Sequence, residues 1–451
     1  MKALPEILRG LRICDFLRYA PWFWWRRELW KLYYLAEPFD TLEEFWSHSW
    51  RLAAWTKYVN VLFLKHAFPA SLVGLICATV AYALFLMERL PKWTHGPYAC
   101  SWCSFSAAGA YVLTMLFCRR YTHVFLDVAC IKQDDPVLKA QGLLSLGAWL
   151  KRSKSLVILW DPSFSSRLWC VFELGAYLHS HPKDSKLTVA PPLQGAICLG
   201  TQIGMAATLT LSHLGKGFEM VKVVLLFTVL LPCGILLTHG LRAYWRSIDV
   251  MKRQASSFTF EQATCDCCER GRHERGLCDR DIIGRCVIAW FGSIGAFESR
   301  VRMEMEVALA HQLANAAFAY HRLVLAVMPW LWLQMDLSAS HVGESSDWTR
   351  WVELSRAVTL VFGIYPCTMK LLCQTTFLLR AKHCSTCVDM LLSAVALVSH
   401  LWAASGLITL EEYVVWFLVG HPYGPIFGGL ISWSMWSIVT LLLWKCLPVL
   451  H

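Results

Sequence analysis

The sequence predicts an α-helical polytopic membrane protein with about eight transmembrane helices and a small cytosolic α/β domain built on a parallel sheet. The first observation is composition. The 451 residues are 56% hydrophobic and 16% charged, whereas soluble proteins contain about 45–50% apolar and about 25% charged residues. The second observation is an uneven distribution of Lys and Arg, and the third is a segment in which strand and helix patterns alternate. This composition excludes a single soluble enzyme and a disordered chain.

Eight apolar runs approach the roughly 20 residues that a helix needs to cross about 30 Å of hydrocarbon. Paired as hairpins, they cover residues 69–118, 193–241, 316–379 and 390–444. The second run is the weakest, because its continuous apolar stretch is short and contains Ser. In chain order the runs are Pro69–Met87, Ala99–Cys118, Leu193–Leu214, Val221–Leu241, Ala316–Met335, Ala357–Leu379, Met390–Leu410 and Gly424–Trp444.

Lys and Arg are concentrated in alternate segments between these runs. Ten precede the first run, ten lie between the second and third, and eleven lie between the fourth and fifth. The intervening segments hold two, one, two and none. Cytoplasmic loops carry the excess of basic residues, so we expect eight crossings with both termini in the cytoplasm. A six-span arrangement without the first hairpin keeps the same polarity. The net charge of +10 is thus ascribed to topology, and no nucleic-acid partner is expected.

Residues 1–42 are predicted to form an interfacial, amphipathic region in contact with the lipid bilayer. Leu and Ile alternate with Arg over Leu4–Leu17, and the aromatic and basic stretch Trp22–Arg27 follows. Indole rings prefer headgroup depth, and Arg pairs with anionic lipid. The alternative is an ordinary amphipathic helix packed on the cytosolic domain.

Strand and helix patterns alternate after the first hairpin. Short β-branched and aromatic runs at Thr122–Val128 and Ser155–Trp160 indicate buried strands, and Lys186–Ala190 is a candidate third strand. Helical patterns at Leu138–Arg152 and Leu168–His179 separate them. This order predicts a parallel sheet with right-handed crossovers. A strand at Phe45–His48 and a helix over Trp50–His66 are expected to complete it, which gives a domain split between residues 43–67 and 120–192.

Four segments in this domain resemble the TIR-like superfamily. They are Phe45–Trp50, Val124–Asp127, Ser153–Leu159 and Ser166–Leu174. The last is the most specific, since it matches the S-x-W-C-x-x-E-L helix start of plant-type TIR domains with one extra residue after the Ser. The resemblance covers about a fifth of the chain. It implies a flavodoxin/TIR-like domain with a membrane hairpin inserted after its first helix.

The resemblance also implies a site. In TIR enzymes the helix glutamate cleaves the nicotinamide–ribose bond of NAD, and Glu173 matches it. Ser47, Asp127 and Trp169 are the corresponding nucleotide-binding candidates, with NAD as substrate. A carboxylate suits this chemistry because it stabilises an oxocarbenium-like transition state. The loop Ala129–Leu138 departs from the family, since it lacks the usual Arg-Gly pair. The alternative is that Trp169 packs in a core and Glu173 merely begins a helix, where the macrodipole favours an acid.

Residues 242–313 are predicted to be a cytosolic, Cys-rich and helical linker. Five residues in it have side chains suited to a structural zinc ion: Cys265, Cys267, Cys268, His273 and Cys278. Thiolates and an imidazole bind zinc tetrahedrally, but the spacing lacks the paired CxxC of standard zinc fingers. The alternatives are a reduced thiol-rich loop and sites of lipid acylation.

The preferred function is membrane-anchored signalling or assembly through the TIR-like domain, with NAD hydrolysis at Glu173 as an accompanying activity. The expected protein partners are further copies of the chain or other TIR-like domains. The alternative function is a channel or transporter with a regulatory cytosolic domain. Lys370, within the sixth run, is the best candidate for an ionisable residue inside a helix bundle. The paired halves typical of secondary transporters are not evident.

Overall fold

The computed structural model describes fourteen stretches of the chain and divides it into two compact units. The α/β unit comprises Met1–Leu62, Cys118–Gly195 and Ser247–Ala317, and the helical unit comprises Phe63–Phe117, Ala196–Arg246 and Phe318–His451. The described residues are 7–39, 41–49, 53–92, 100–182, 186–191, 194–212, 220, 223–224, 226–269, 278–306, 311–316, 318–341, 348–419 and 424–446.

The α/β unit contains a six-stranded mixed sheet in the order β2-β1-β4-β3-β5-β6. Strands β4, β3, β5 and β6 are parallel, whereas β1 runs antiparallel to both β4 and β2. In the centre of the sheet, Phe45 pairs with Phe125 on one side and with Leu156 on the other. The strands are β1 Arg9–Arg12, β2 Glu37–Pro38, β3 Leu42–His48, β4 His123–Phe125, β5 Ser153–Leu159 and β6 Leu187–Ala190.

The helices of the α/β unit cover both faces of this sheet. Strand β5 accordingly buries Leu156, Val157, Ile158 and Leu159, as a parallel strand enclosed on both faces does. The helices are α1 Ile13–Trp25, the start of α2 Ala54–Leu86, α4 Asp127–Cys130, α5 Pro136–Leu144, α6 Leu146–Arg152, α7 Leu168–Ser180, the end of α9 Leu231–Ser256, α10 Asp266–Glu269, α11 Asp279–Phe291 and α12 Ile294–Glu304, with a 3₁₀ turn at Leu29–Leu35.

Helices α11 and α12 pack so closely on α6 and α7 that glycine is needed at two positions. A Cβ on Gly175 would lie 2.7 Å from Cε2 of Phe297, and one on Gly147 would lie 2.6 Å from Cη2 of Trp290. Real Cβ atoms do not approach so closely, so an added methyl group would displace the aromatic rings. The second half of the predicted linker 242–313 is therefore part of the α/β unit.

The helical unit contains most of the apolar helices. Within the described part of the chain, six helices are long and apolar enough to cross a membrane: Ala54–Leu86, Phe227–Ser256, Tyr320–Ser340, Arg350–Leu378, Thr386–Val415 and Phe427–Cys446. The individual helices are α3 Trp102–Phe117, α8 Gln194–Ser212, α13 Tyr320–Ser340, α14 Trp348–Thr359, α15 Tyr365–Leu378, α16 Thr386–Val419 and α17 Gly424–Cys446, with π-helical turns at Leu226–Leu230 and Leu360–Ile364. A further π-helical turn, Gln312–Ala316, belongs to the α/β unit.

These helices agree with the expected membrane class and refine the expected spans. Helix α3 has 16 residues and is about 24 Å long at 1.5 Å per residue, short of the hydrocarbon thickness. Helix α8 coincides with the third expected run but is not one of the six. Parts of the third and fourth runs, around residues 213–222, lie outside the described residues. The helical polytopic class is confirmed, and the count of eight stays a prediction.

A buried arginine ties three segments of the helical unit together. The guanidinium of Arg242 is fully buried and donates to Oδ1 of Asp389 at 2.7 Å, to Oγ of Ser393 at 2.9 Å and to the carbonyl oxygen of Leu379 at 2.8 Å. Buried charges are stable when paired and hydrogen-bonded in this way. The network fixes α9 against the start of α16 and the end of α15.

The described part of the N-terminal region begins with a strand and a helix of the α/β unit. Residues 9–12 form a strand of the sheet, with Leu8 and Leu11 buried in the core, because an unpaired edge of β4 accepts them. Helix α1 then buries one face, while Trp22 and Trp25 remain exposed. Residues 8–20 thus pack on the α/β unit, and contact of the region with the lipid bilayer stays a prediction.

Candidate functional site

The carboxyl ends of three parallel strands bring several polar side chains to one edge of the sheet. Ser47 and His48 end β3, Asp127 follows β4, and Asp161 follows β5. The chain passes from β3 to β4 on one side and then to β5 on the other side of β3. Open α/β sheets bind their ligands at such a reversal of strand order. This edge is therefore the candidate functional site.

A hydrogen-bonded network fixes the reversal point between β3 and β5. The Ser49 hydroxyl donates to Oδ2 of Asp161, and Nζ of Lys57 donates to the carbonyl oxygen of Ser49. Oδ1 of Asp161 accepts from the backbone N–H of Ser163 at 2.7 Å and from its hydroxyl at 2.5 Å. Ser49 and Asp161 are buried. The edge is held rigid by these bonds.

Glu173, on the first half of α7, is paired with Ser47. The Ser47 hydroxyl donates to Oε2 of Glu173 at 2.5 Å. The pKa of the Glu173 carboxyl is raised to about 8, chiefly because the surrounding protein atoms desolvate its charged form. The Asp127 carboxylate also raises the pKa, whereas the Ser47 hydrogen bond and the Arg167 guanidinium lower it. Glu173 still keeps part of its surface open to solvent. At neutral pH the carboxyl is mostly protonated.

His48 lies beside Asp127 at the carboxyl ends of β3 and β4. Its Nε2 is 3.8 Å from Oδ1 of Asp127. Burial, together with the positive charges of Lys57 and Arg167, holds the pKa of His48 well below its usual value. The imidazole is therefore neutral at physiological pH. Oδ1 of Asp127 instead accepts a hydrogen bond from the backbone N–H of Val128 at 2.7 Å.

A pocket of about 420 Å³ opens at these strand ends, between the sheet, α1 and the start of α2. Its wall is mainly apolar and aromatic, with His48 and Lys57 bringing polar nitrogen atoms into it. Trp46 and His48 line it, whereas Ser47 contacts Glu173, because successive residues of a strand point to opposite faces. The pocket and the Ser47–Glu173 pair therefore occupy the same edge on opposite faces of β3.

The four residues assigned by resemblance do not all meet. Ser47 and Glu173 are in contact, and Asp127 is close enough to influence the Glu173 carboxyl. Trp169 is directed elsewhere, since its Nε1 donates to Oδ2 of Asp279 on α11 at 3.0 Å. The indole fastens α7 to α11 in this structure.

Two cysteines of the predicted zinc set lie together. The sulfur atoms of Cys268 and Cys278 are 3.4 Å apart, and Cys265 is buried nearby in sequence. His273 and the side chain of Cys267 lie outside the described residues. Within the part of the chain that is described, this set does not bring three metal-binding atoms within 4.8 Å of one another.

Several polar groups escaped the sequence reasoning. His48, Lys57 and Asp161 lie at the carboxyl edge of the sheet, but this position follows from the strand order, which the sequence alone does not give. In the helical unit, Cys100, Cys103 and Asp336 form a buried group of possible metal ligands. Arg356 also pairs there with the fully buried Glu411 at 3.2 Å. The CxxC spacing of Cys100 and Cys103 was visible in the sequence; their acidic partner was not.

Comparison with known protein families, curated proteins and solved structures finds no match to this chain. The site is therefore interpreted from its own geometry.

The raised pKa of Glu173 predicts a pH-dependent stability. The folded protein binds this proton more tightly than the unfolded chain, so the stabilisation is complete below about pH 4.5 and is lost as pH rises to about 8. Over that pH range the free energy of unfolding should fall by up to about 1.4 kcal/mol per pH unit because of Glu173, and Glu173→Gln should remove this contribution. The measurement is denaturation of the full-length protein at pH 5, 6, 7 and 8, with the exposed Glu261→Gln as control.

Taking the difference between wild type and Glu173→Gln cancels the separate titration of His48. A difference that stays constant from pH 5 to 8 would contradict the assigned shift.

Proposed function

We propose that the chain is an integral membrane protein, with both termini in the cytoplasm, whose α/β unit is a TIR-like signalling and assembly module. The observation that carries the proposal is the pocket at the carboxyl ends of β3, β4 and β5. A ligand held there would contact α1 and the start of α2 as well as the sheet. Ligand occupancy would thus control the surfaces through which copies of the unit, or other TIR-like domains, associate.

The proposed location rests on the apolar helices and the charge pattern. Six helices are long and apolar enough to cross a membrane. The Lys- and Arg-rich segments are those that build the α/β unit, which the positive-inside rule assigns to the cytoplasm.

NAD is the proposed ligand. The pocket volume of about 420 Å³ lies within the range of small-molecule sites, about 300–1,000 Å³. One aromatic ring and ribose of the dinucleotide would lie among Trp46, Phe16 and Trp55, which line the pocket. Lys57 supplies a cation for the pyrophosphate.

NAD cleavage at Glu173 is the proposed accompanying activity. The ribose becomes cationic as the nicotinamide bond breaks, and an ionised carboxylate stabilises this charge. Glu173 lies at the same edge of the sheet as the pocket, on the other face of β3, and is partly open to solvent, so the dinucleotide would extend around the end of β3 to reach it. Since its pKa is about 8, the active, ionised form increases as pH rises through 8.

Substituting Lys57→Met should weaken NAD binding about 10- to 100-fold, because a charge-assisted hydrogen bond contributes about 1.5–3 kcal/mol. Lys154→Met is the matched control, since Lys154 is exposed at the opposite, amino end of β5. Binding to the purified full-length protein in detergent is measured by isothermal titration calorimetry. Equal affinities for both variants, or no binding by folded wild type, would contradict NAD as the ligand of this pocket.

NAD turnover by the wild type should rise with pH between 7 and 9 and be lost in Glu173→Gln. The substitution keeps the size of the side chain and its contact with Ser47, so a folded variant isolates the charge. Nicotinamide release is measured by liquid chromatography. Binding without turnover in the wild type would leave an assembly module without catalysis; turnover unchanged in Glu173→Gln would exclude this residue as the catalytic group.

Transport is the second candidate function, favoured by one observation in the helical unit. The carboxyl of Glu411 is fully buried and pairs with Arg356, which also approaches Glu353 and Glu412. Ionisable residues buried among membrane helices commonly mark ion or proton pathways. Lys370, the candidate from sequence, is also buried, with its Nζ 5.7 Å from the ring centre of Trp444.

If the helical unit carries protons, proteoliposomes containing the wild type should show proton uptake under an imposed potential. Glu411→Gln should abolish it, while the neighbouring Glu412→Gln should not, because half of the Glu412 side chain is exposed. Uptake is followed with a pH-sensitive dye enclosed in the vesicles. The same rate in wild-type and empty vesicles would contradict proton transport.

A further inference from the structure

Three potential metal ligands converge between two helices of the helical unit. Cys100 and Cys103 lie at the amino end of α3, and Asp336 lies near the carboxyl end of α13. The two sulfur atoms and a carboxylate oxygen are all within 4.8 Å of one another, and all three residues are buried with no exposed surface.

Asp336 is held in one orientation by the start of α3. Its Oδ1 accepts from the backbone N–H of Cys103 at 2.8 Å and from the thiol of Cys100 at 3.3 Å, and its Oδ2 accepts from the backbone N–H of Ser104 at 2.9 Å. Among the described residues, no Lys, Arg or His pairs with this carboxylate. Burying a carboxylate without a nearby positive charge costs desolvation free energy. A cation bound beside Asp336 would offset this cost.

We propose that Cys100, Cys103 and Asp336 bind a divalent, thiophilic transition-metal ion of the zinc class. Zinc takes Cys sulfur at about 2.3 Å and carboxylate oxygen at about 2.0–2.2 Å. A tetrahedral ion with these bonds separates its ligand atoms by roughly 3.5–4 Å. Side-chain adjustments of about 1 Å therefore close the group around the ion, leaving a fourth position for a solvent molecule.

The charges and protons of this step balance. One M²⁺ ion displaces the two thiol protons, which pass to solvent, and forms two metal–thiolate bonds and one bond to the carboxylate. The Cys100 thiol proton, which without the ion forms the hydrogen bond to Oδ1 of Asp336, is one of these two protons. The ion takes its place between Sγ of Cys100 and the Asp336 carboxylate. The product carries one net negative charge, which the backbone N–H groups and the positive end of α3 offset.

Two features distinguish this group from the other cysteine pairs. Cys384 and Cys387 have the same CxxC spacing, yet both are exposed and belong to no three-ligand group among the described residues. Asp336 supplies a fixed hard ligand beside two soft ones, a mixed set that suits zinc better than calcium or magnesium, which prefer oxygen ligands. The bound ion would fasten α3 to α13.

The test uses Co²⁺ as a spectroscopic probe on the reduced, full-length protein in detergent. The wild type should develop a thiolate-to-cobalt charge-transfer band that Zn²⁺ removes. The double variant Cys100→Ser/Cys103→Ser should lose the absorbance that corresponds to one bound Co²⁺ per protein molecule. The double variant Cys384→Ser/Cys387→Ser, the matched CxxC control, should keep the full absorbance. Serine keeps a hydroxyl donor for Asp336, which favours a folded variant.

A second measurement requires no substitution. Zn²⁺ should slow alkylation of Cys100 and Cys103, mapped by mass spectrometry, and leave the rates at Cys384 and Cys387 unchanged. An equal Co²⁺ band in wild type and Cys100→Ser/Cys103→Ser, or alkylation rates at Cys100 and Cys103 that Zn²⁺ does not alter, would overturn the proposal. Neither result depends on NAD binding, so the α/β site and the metal site are judged separately.

Discussion

The parallel pairing of β3 with both β4 and β5 is the constraint on which the α/β unit depends. Phe45 stacks on Phe125 with ring centres 4.3 Å apart, and Phe125 packs on Trp149 of α6. This aromatic cluster fixes the register of the central strands. Because the register is fixed, Ser47 contacts Glu173 on one face while His48 lines the pocket on the other. A slip of one residue would exchange the two faces and remove both features.

The helices and parallel strands were predictable because their signals are local. Leu156–Leu159 is a continuous apolar, β-branched-rich run, and the structure confirms a strand there. β1 has no such signal, since its four residues begin with Arg9 and end with Arg12. It becomes a strand because β4, distant in sequence, offers an edge with which it pairs. Ser47 and Glu173 were assigned to one site by resemblance, but their hydrogen bond was not predicted. Cys100 and Asp336 are 236 residues apart, and no spacing rule connects them.

Three carboxyl groups in the described part of the chain, at Asp389, Glu173 and Asp336, have different kinds of partner. Asp389 is neutralised by the guanidinium of Arg242. Glu173 keeps its proton, with a pKa raised to about 8, and accepts a hydroxyl hydrogen bond. Asp336 receives backbone N–H groups and a thiol. These solutions differ in how readily they respond to conditions: the ion pair is permanent, whereas protonation and thiol chemistry respond to the surroundings. The responsive groups are those assigned here to function.

The long segment of chain between β3 and β5 also sets the order in which the elements are synthesised. Leu42 pairs with Ser153, so β3 leaves the ribosome more than a hundred residues before the strand that completes its inner edge. The apolar helices Ala54–Leu86 and Trp102–Phe117 emerge in between. Non-local pairing of this kind is slow, and unpaired strand edges invite aggregation. The first two apolar helices therefore leave the ribosome before the sheet can close, and β3 stays without its β5 partner during that interval.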